Sequence, residues 1–203
     1  MNKLDGSFYR QETNKVAQAL LGKVLGRRTE KGVLKGRIVE VESYLGEKDQ
    51  AAHVHSGRTK RTRVLFKKAG LVYLYLCYGL YWQFNIKTTE DKPECVLIRA
   101  IEPLQGLKLM KANRVRESTL TLDSLSKNNL TNGPGKWCQS FKINKEFYGE
   151  DLVNSDKIWI EDRPLLSKSK IQKAPRVGID YAGDWASKKL RFYIKNNNFV
   201  STT

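Results

Sequence analysis

Residues 71–86, LVYLYLCYGLYWQFNI, constrain the fold most, because two runs of alternating side chains lie on either side of one glycine. Successive side chains of a β-strand point to opposite faces, so each run suits a strand that is at least half buried. A tight turn at residues 78–80 would join the two runs, and the pattern predicts an antiparallel hairpin. Trp82 and Phe84 are expected in the core, whereas Tyr78 at the tip has little core to fill and is available to a partner.

Around this hairpin the sequence predicts an α+β fold, in which one domain over residues 1–203 has a curved, mostly antiparallel sheet with flanking helices. A near-continuous apolar run, CVLIRAI, is typical of a central strand that is buried on both faces. Residues 117–130 are rich in Ser, Thr, Asn and Lys and are expected to form a loop. Strands are predicted at 23–28, 38–44, 95–101, 157–161 and 190–194.

Three helices are expected to flank the sheet. Residues 12–21 have apolar side chains at helical spacing. A second, basic helix is predicted from Pro103 to about Arg116. A third begins in the segment NGPGK, with Asn132 as the N-cap and Pro134 in the first turn. The buried stripe of the second helix is predicted to be Leu104, Leu107 and Met110.

The charge of the chain indicates an anionic partner. Lys and Arg number 37 against 21 Asp and Glu, which gives a net charge of +16 and a pI near 9.8. A folded domain this basic most often meets DNA, RNA or an anionic membrane surface, although a basic surface without a partner is the alternative. The basic segment 56–68 is either a phosphate-contacting arm, with Arg58, Arg61 and Arg63, or a solvated surface loop.

The cysteines and the N-terminus bear on the compartment and on metal binding. Cys77, Cys95 and Cys138 are far apart and odd in number, and no CxxC or His/Cys cluster is present. We therefore expect no zinc site, no other metal, no cofactor and a reducing environment. The N-terminus lacks an apolar signal region and no run approaches membrane-spanning length, so the sequence predicts a cytosolic protein without a membrane partner.

The segment 36–53, GRIVEVESYLGEKDQAAH, is open to two interpretations. Its strand places Glu40, Glu42 and Tyr44 on one face. On this stretch alone a solvated edge-strand face is favoured, because charged residues mostly lie in water. The alternative is a site in which one glutamate acts as a base, an aromatic ring forms a wall and His53 reaches in from the next turn.

The other features fit the second interpretation. A basic surface binds duplex DNA through its phosphates, and an apex side chain can unstack base steps. An aromatic pocket can hold a purine that has left the stack, beside a glutamate that deprotonates water. Arg99, inside an apolar run, needs a carboxylate or a bound anion as its partner. The glycine-rich helix start with Lys136 suits a phosphate, although most such starts are simply caps.

Several segments in register resemble the alkyladenine (3-methyladenine) DNA glycosylase family, and the similarity extends over about residues 12–200. The resemblance implies a single α+β domain whose protruding, DNA-inserting hairpin enters the minor groove. The basic loop and His55 depart from the family pattern, so individual contacts are not transferred there. The segments are RIVEVESYLGEKDQAAH, LVYLYLCYGLYWQFNI, CVLIRAIEPLQG, NGPGKWCQ, INKEF and LRFY.

The resemblance also implies roles for individual residues. Glu42 would activate the attacking water, with Arg99 near the water and the abasic-site phosphate, and Tyr78 would fill the gap left by the extruded base. Glu40 is expected to be exposed or to support the site from behind, without a catalytic role. Independently of the resemblance, the basic segment and the glycine-rich helix start predict contacts of Arg58, Arg61, Arg63 and Lys136 with the DNA backbone. The base pocket would consist of Tyr44 on one side of the base, His53 and Tyr75 on the other, Ala51, and Asn85 against a guanine 2-amino group.

The expected function is therefore base excision repair. A monofunctional glycosylase would remove 3-methyladenine, 7-methylguanine, ethenoadenine or hypoxanthine from double-stranded DNA and leave an abasic site. We expect a monomer, located with the nucleoid in a bacterial cytoplasm or in a eukaryotic nucleus. The competing hypotheses are a non-catalytic nucleic-acid-binding module and a structural protein with a basic surface, neither of which needs a glutamate in a pocket.

Overall fold

An antiparallel eight-stranded sheet forms the centre of the computed structural model, which describes residues 2–116 and 126–201. The order across the sheet is β3-β4-β5-β2-β1-β6, and β8 pairs with both β2 and β7. This confirms the predicted α+β class. The strands are β1 (Val24–Thr29), β2 (Gly32–Tyr44), β3 (Val72–Cys77), β4 (Tyr81–Thr88), β5 (Glu94–Gln105), β6 (Ile158–Glu161), β7 (Ile171–Ala174) and β8 (Arg191–Ile194).

The helices are short and pack on the sheet. Trp137 is fully buried, stacks edge-on against Phe84 and donates from its indole Nε1 to the Ile98 carbonyl at 2.9 Å, which joins α4 to β4 and β5. The α-helices are α1 (Gly6–Tyr9), α2 (Thr13–Leu20), α3 (Leu107–Arg116) and α4 (Pro134–Ser140). Short 3-10 helices span Gly46–Lys48, Arg63–Phe66, Asn128–Leu130, Lys145–Phe147, Lys168–Lys170 and Gly183–Trp185.

The predicted hairpin is confirmed, with Cys77 opposite Tyr81 as its last pair. Phe84 is fully buried, and Trp82 is partly buried against the core. The predicted start of the second helix is wrong. Strand β5 runs through Pro103, which lies opposite Gly36 at a register shift, where a proline is tolerated because the ladder is already interrupted.

Two details of the predicted helices are also wrong. Leu104 belongs to β5 and is 54% exposed, so it is not part of a buried stripe, whereas Met110 is fully buried. The N-cap of α4 is Gly133 and not Asn132. The Asn132 Oδ1 instead accepts a hydrogen bond from Lys136 Nζ at 3.0 Å. Of the predicted loop at 117–130, residues 117–125 lie outside the described part of the chain.

Strand β2 is central and not an edge strand, which contradicts the solvated-face interpretation of segment 36–53. Its first half pairs with β1, its second half pairs with β8, and β5 runs along its other side. Register shifts on both sides of Glu40 bend the strand. Glu40 and Glu42 are both 0% exposed, so their charges must be compensated inside the protein.

Candidate active site

A cavity of about 440 Å³ opens between the sheet and the segment 177–181. The pocket predicted from the resemblance is brought together there, because all five of its members line the cavity, together with Arg99 and Tyr78. Sequence reasoning missed other lining residues. The predicted pocket residues are Tyr44, Ala51, His53, Tyr75 and Asn85; those not foreseen include Tyr73, Gln83, Cys95, Leu97, Val177 and Tyr181.

The Glu42 carboxylate lies directly behind the cavity wall. Its Oε2 accepts a hydrogen bond from the Tyr44 hydroxyl at 2.9 Å. Its Oε1 accepts from the backbone N–H of Val177 at 2.8 Å and lies 3.2 Å from Arg99 Nη1. A carboxylate can accept about four hydrogen bonds, so these three donors leave about one acceptor position unused. Glu42 itself is fully buried, and the three residues that contact it, Tyr44, Arg99 and Val177, are the ones that line the cavity.

Arg99 is oriented by a buried network centred on Glu40. Glu40 Oε1 accepts from Arg99 Nε at 2.9 Å, from Arg191 Nη1 at 3.2 Å and from the Ser201 hydroxyl at 2.9 Å, while Oε2 accepts from the Ser201 backbone N–H at 2.7 Å. Burial by itself would lower the pKa of Arg99, but the carboxylates of Glu42 and Glu40 outweigh it and raise that pKa. Glu40 is thus fully buried and lies behind Arg99, which corrects the expectation that it could be exposed.

The Arg176 guanidinium packs against the Tyr44 ring in a cation–π contact. Arg176 Cζ lies 4.7 Å from the ring centroid, and Arg176 forms a two-pronged ion pair with Asp49 at 2.6 and 2.8 Å. Asp49 in turn accepts from the backbone N–H groups of Leu45 and Ala51. Burial, and then the charge of Glu42, raise the pKa of Tyr44, so its hydroxyl stays protonated and donates to Glu42.

His53 and two tyrosines form an aromatic corner of the cavity. The His53 ring lies edge-on to Tyr75 with centroids 4.4 Å apart, and its Nδ1 lies 2.8 Å from the Tyr73 hydroxyl. Burial, with a smaller contribution from the charge of Arg61, lowers the pKa of His53 to about 4. His53 is therefore neutral at physiological pH, and the corner presents uncharged rings.

Asn85 and Cys95 form the floor of the cavity. The Asn85 amide Nδ2 donates to the carbonyls of Tyr73 and Gln83, at 3.3 and 3.2 Å, which fixes the orientation of its side chain. Cys95 is buried, its pKa is raised to about 12 by burial, and its thiol lies 3.9 Å from Asn85 Oδ1. This thiol is therefore protonated and serves as a small apolar wall.

The hairpin apex next to the cavity projects into solvent. Tyr78 is 89% exposed and has a backbone φ of 52°, in the left-handed region, followed by Gly79 at φ 70°. A side chain in that region costs roughly 1–2 kcal/mol. Leu80, which was not predicted, is also largely exposed, with Leu76 and Tyr81 half exposed beside it. The hairpin tip is thus an apolar wedge.

The basic segment 56–68 is partly folded. Val64 and Leu65 are buried in the 3-10 helix, while Arg58, Arg61 and Arg63 are exposed. The Lys136 ammonium is already held by Asn129 and Asn132, at 2.6 and 3.0 Å, and burial lowers its pKa. These contacts lie within the protein and do not test binding to DNA, so the predicted contacts of these four residues with the DNA backbone remain predictions.

Residues 2–116 and 126–201 contain neither a cluster of metal ligands nor a membrane-spanning helix. No three His, Cys, Asp or Glu side chains lie close enough to hold a metal ion in this part of the chain. No helix within it is long and apolar enough to cross a membrane.

With the site defined, comparison with known proteins identifies the family. The family model of methylpurine-DNA glycosylase (MPG) matches residues 7–198. The chain belongs to the methylpurine-DNA glycosylase family. The family resemblance inferred from the sequence motifs is thereby confirmed, and the matched region includes all the residues that line the cavity.

Relatives within this family come from animals and bacteria. A mouse DNA-3-methyladenine glycosylase is 44% identical over 98% of this chain and 61% of its own length, and the human protein of that name is 43% identical over 99% and 68%. A Clostridium botulinum (strain Loch Maree / Type A3) protein named "Putative 3-methyladenine DNA glycosylase" is 43% identical over 98% of both chains. The chain thus spans about three fifths of the mouse relative's length.

Proposed function

We propose that the protein is a monofunctional DNA glycosylase that extrudes alkylated or deaminated purines from duplex DNA and hydrolyses their N-glycosidic bond. The observation that carries this proposal is the fully buried Glu42 carboxylate, bonded to the Tyr44 hydroxyl at the wall of an aromatic cavity. Neither competing hypothesis, a binding module or a structural protein, accounts for a buried carboxylate in that place. Family membership and the names of the relatives support the same reaction class.

Binding begins at the surface. The positive charge of the chain attracts the phosphate backbone without regard to sequence. The apolar wedge at Tyr78 then occupies the position of the extruded nucleotide. Unstacking costs a few kcal/mol, and stacking of the base on Tyr44 and Tyr75 can return about 1–3 kcal/mol per base. A damaged or mispaired base is extruded more easily, which provides part of the selectivity.

Hydrolysis follows in the cavity. Glu42 orients a water molecule and takes its proton while the water oxygen bonds to the sugar C1′ and the bond from C1′ to the base nitrogen breaks. The bonding electrons leave with the base, so a cationic 3-methyladenine or 7-methylguanine departs as a neutral molecule. A neutral base such as hypoxanthine or ethenoadenine must gain a proton from a source to which we assign no residue.

The test is single-turnover excision by Glu42→Gln on a duplex that contains ethenoadenine or hypoxanthine. We expect lesion affinity within a few-fold of wild type and a rate lower by about 10²–10⁴, the usual contribution of a general base. Glu47→Gln is the matched control, because Glu47 is an exposed glutamate just beyond β2. A near wild-type rate in Glu42→Gln would remove Glu42 from this role.

The monofunctional part of the proposal has a separate test. A lysine nucleophile would form an imine with the sugar, which borohydride converts to a stable protein–DNA adduct. A water nucleophile leaves nothing to trap. Efficient adduct formation would reject the proposed mechanism, and lesion binding without any base release would favour a non-catalytic binding module.

A further inference from the structure

A second cavity, of about 650 Å³, lies near the opposite end of the sheet from the hairpin. It is enclosed by β1, by α3 and by the 3-10 helix Lys145–Phe147. Strands β5 and β2 separate the hairpin from β1, so this cavity is distinct from the candidate active site. Its cationic lining residues are Arg27, Arg28, Lys31, Lys142 and Lys157.

Arg27 is the most unusual of these residues. It is 9% exposed, and its Nε and Nη1 atoms are shielded from solvent and form no hydrogen bond. The guanidinium carbon lies 4.8 Å from the centroid of the Phe147 ring. Burial lowers the pKa of Arg27 to about 10, which still leaves it charged at neutral pH. Arg27 is therefore a buried, charged guanidinium in the lining of the cavity, and no carboxylate pairs with it among the described residues; its two unpaired nitrogens are themselves not exposed to the cavity.

The charge of this cavity is only partly compensated within the described part of the chain, because its five cations outnumber its two carboxylates. Its carboxylates are Glu30 and Glu146, and within residues 2–116 and 126–201 none of the five cations forms an ion pair within 4.0 Å. In contrast, Arg99 and Arg176 at the candidate active site each pair with carboxylates. An unpaired buried charge is unfavourable for folding, and a bound anion would remove that cost.

We propose that this cavity binds a phosphate group, carried either by a small phosphorylated molecule or by a nucleic-acid backbone. A phosphate carries more charge than a carboxylate and suits several converging cations, and guanidinium groups match its geometry. Leu109 and the Phe147 ring provide apolar wall for the rest of the carrier. The volume lies within the range of about 300–1,000 Å³ that is usual for ligand sites.

The test uses inorganic phosphate, AMP and adenosine as calorimetric probes at fixed ionic strength, with wild type and Arg27→Met. We expect AMP and phosphate to bind the wild type and adenosine to bind much more weakly. Arg27→Met keeps an unbranched apolar side chain on Phe147 and removes the charge, so AMP affinity should fall at least tenfold. Urea stability should stay the same or rise, whereas loss of a structural cation would lower it. Lys15→Met is the control, because it removes a charge from an exposed site on α2.

Binding of undamaged duplex distinguishes the two carriers. If the nucleic-acid backbone occupies the cavity, Arg27→Met weakens duplex binding and AMP competes with the duplex. If a small molecule occupies it, duplex binding is unchanged and only AMP affinity falls. Unchanged binding of both AMP and duplex in Arg27→Met would overturn the proposal. If that variant fails to fold, Lys157→Met at the exposed rim decides: weaker AMP binding supports the site, and unaltered binding overturns it.

Discussion

Replacing Glu40 by glutamine should be among the most damaging single changes near the site, although Glu40 does not reach the cavity. The carboxylate accepts four hydrogen bonds from Arg99, Arg191 and Ser201 and is fully buried. Glutamine keeps the volume but removes the charge. Its amide N–H₂ group is a donor and would lie against groups that are themselves donors, so at least one of those hydrogen bonds would be lost. Arg99 would keep Glu42 as its remaining carboxylate, whereas Arg191 would lose the carboxylate with which it pairs.

The expected loss of unfolding free energy is about 3–5 kcal/mol, which is typical when one partner of a buried ion pair is removed. Glu102→Gln is the matched control on the same pair of strands. Glu102 pairs with Arg37, whose side chain is 41% exposed, and a pair of this kind contributes about 0–1 kcal/mol. Urea denaturation of both variants measures the difference.

Excision should fall in Glu40→Gln as well, because Arg99 loses the contact that directs its Nη1 toward Glu42. Lesion excision measured well below the unfolding transition separates this effect from global unfolding. Equal stability losses in Glu40→Gln and Glu102→Gln, or a wild-type excision rate in a folded Glu40→Gln, would refute this account of the buried network.

Three further outcomes follow from the site. Tyr44→Phe keeps the stacking ring but removes a hydrogen bond to a charged group, so the free energy of unfolding should fall by about 1.5–3 kcal/mol and excision should slow with little change in lesion affinity. Tyr75→Phe, whose hydroxyl does not contact Glu42, is the control, and equal losses in the two variants would contradict the assigned role of the Tyr44 hydroxyl. The lowered pKa of His53 means that its contribution to the free energy of unfolding is complete above about pH 6.5 and is lost as the pH falls toward 4. Proton NMR, with His55→Gln for assignment, should show His53 titrating near pH 4, and a midpoint near 6.5 would contradict a buried, neutral His53. Tyr78→Asn should leave stability unchanged or slightly higher, because asparagine tolerates a φ of 52°. The variant should nevertheless reduce the extrusion of ethenoadenine, measured by fluorescence, and undiminished extrusion would show that Tyr78 does not act as the wedge.

The hairpin and the central strand could be predicted because their patterns are local. Alternation over residues 71–86 was enough to place Phe84 in the core and Tyr78 at the tip. The same local reasoning failed at Pro103, because only the partner strand reveals that Gly36 and a register shift accommodate a proline there.

The buried partners of the candidate site could not be predicted from the sequence. Asp49 and Arg176 are separated by 127 positions, and no periodicity relates them. Ser201 likewise reaches Glu40 from the far end of the described chain. Each of these contacts depends on tertiary proximity. Nothing in the sequence around Arg176, which lies in a glycine-punctuated loop, indicates that it stacks on Tyr44. The motif resemblance supplied seven of the residues that line the cavity but not the network of buried partners that holds them.

The proposed function requires a very basic protein to accept a cationic purine, and that network is compatible with this requirement. The buried carboxylates of Glu40, Glu42 and Asp49 equal in number the guanidinium groups of Arg99, Arg176 and Arg191, and each guanidinium pairs with at least one of them. The buried aromatic side chains of the cavity are uncharged, since His53 is neutral and burial raises the pKa of the Tyr44, Tyr73 and Tyr75 hydroxyls. The interior therefore does not repel a positively charged base, and the net positive charge of the exterior remains free to attract phosphates. Under the proposed function, attraction to DNA and acceptance of the base would depend on separate sets of charges, so a surface this cationic would not prevent an alkylated purine from entering.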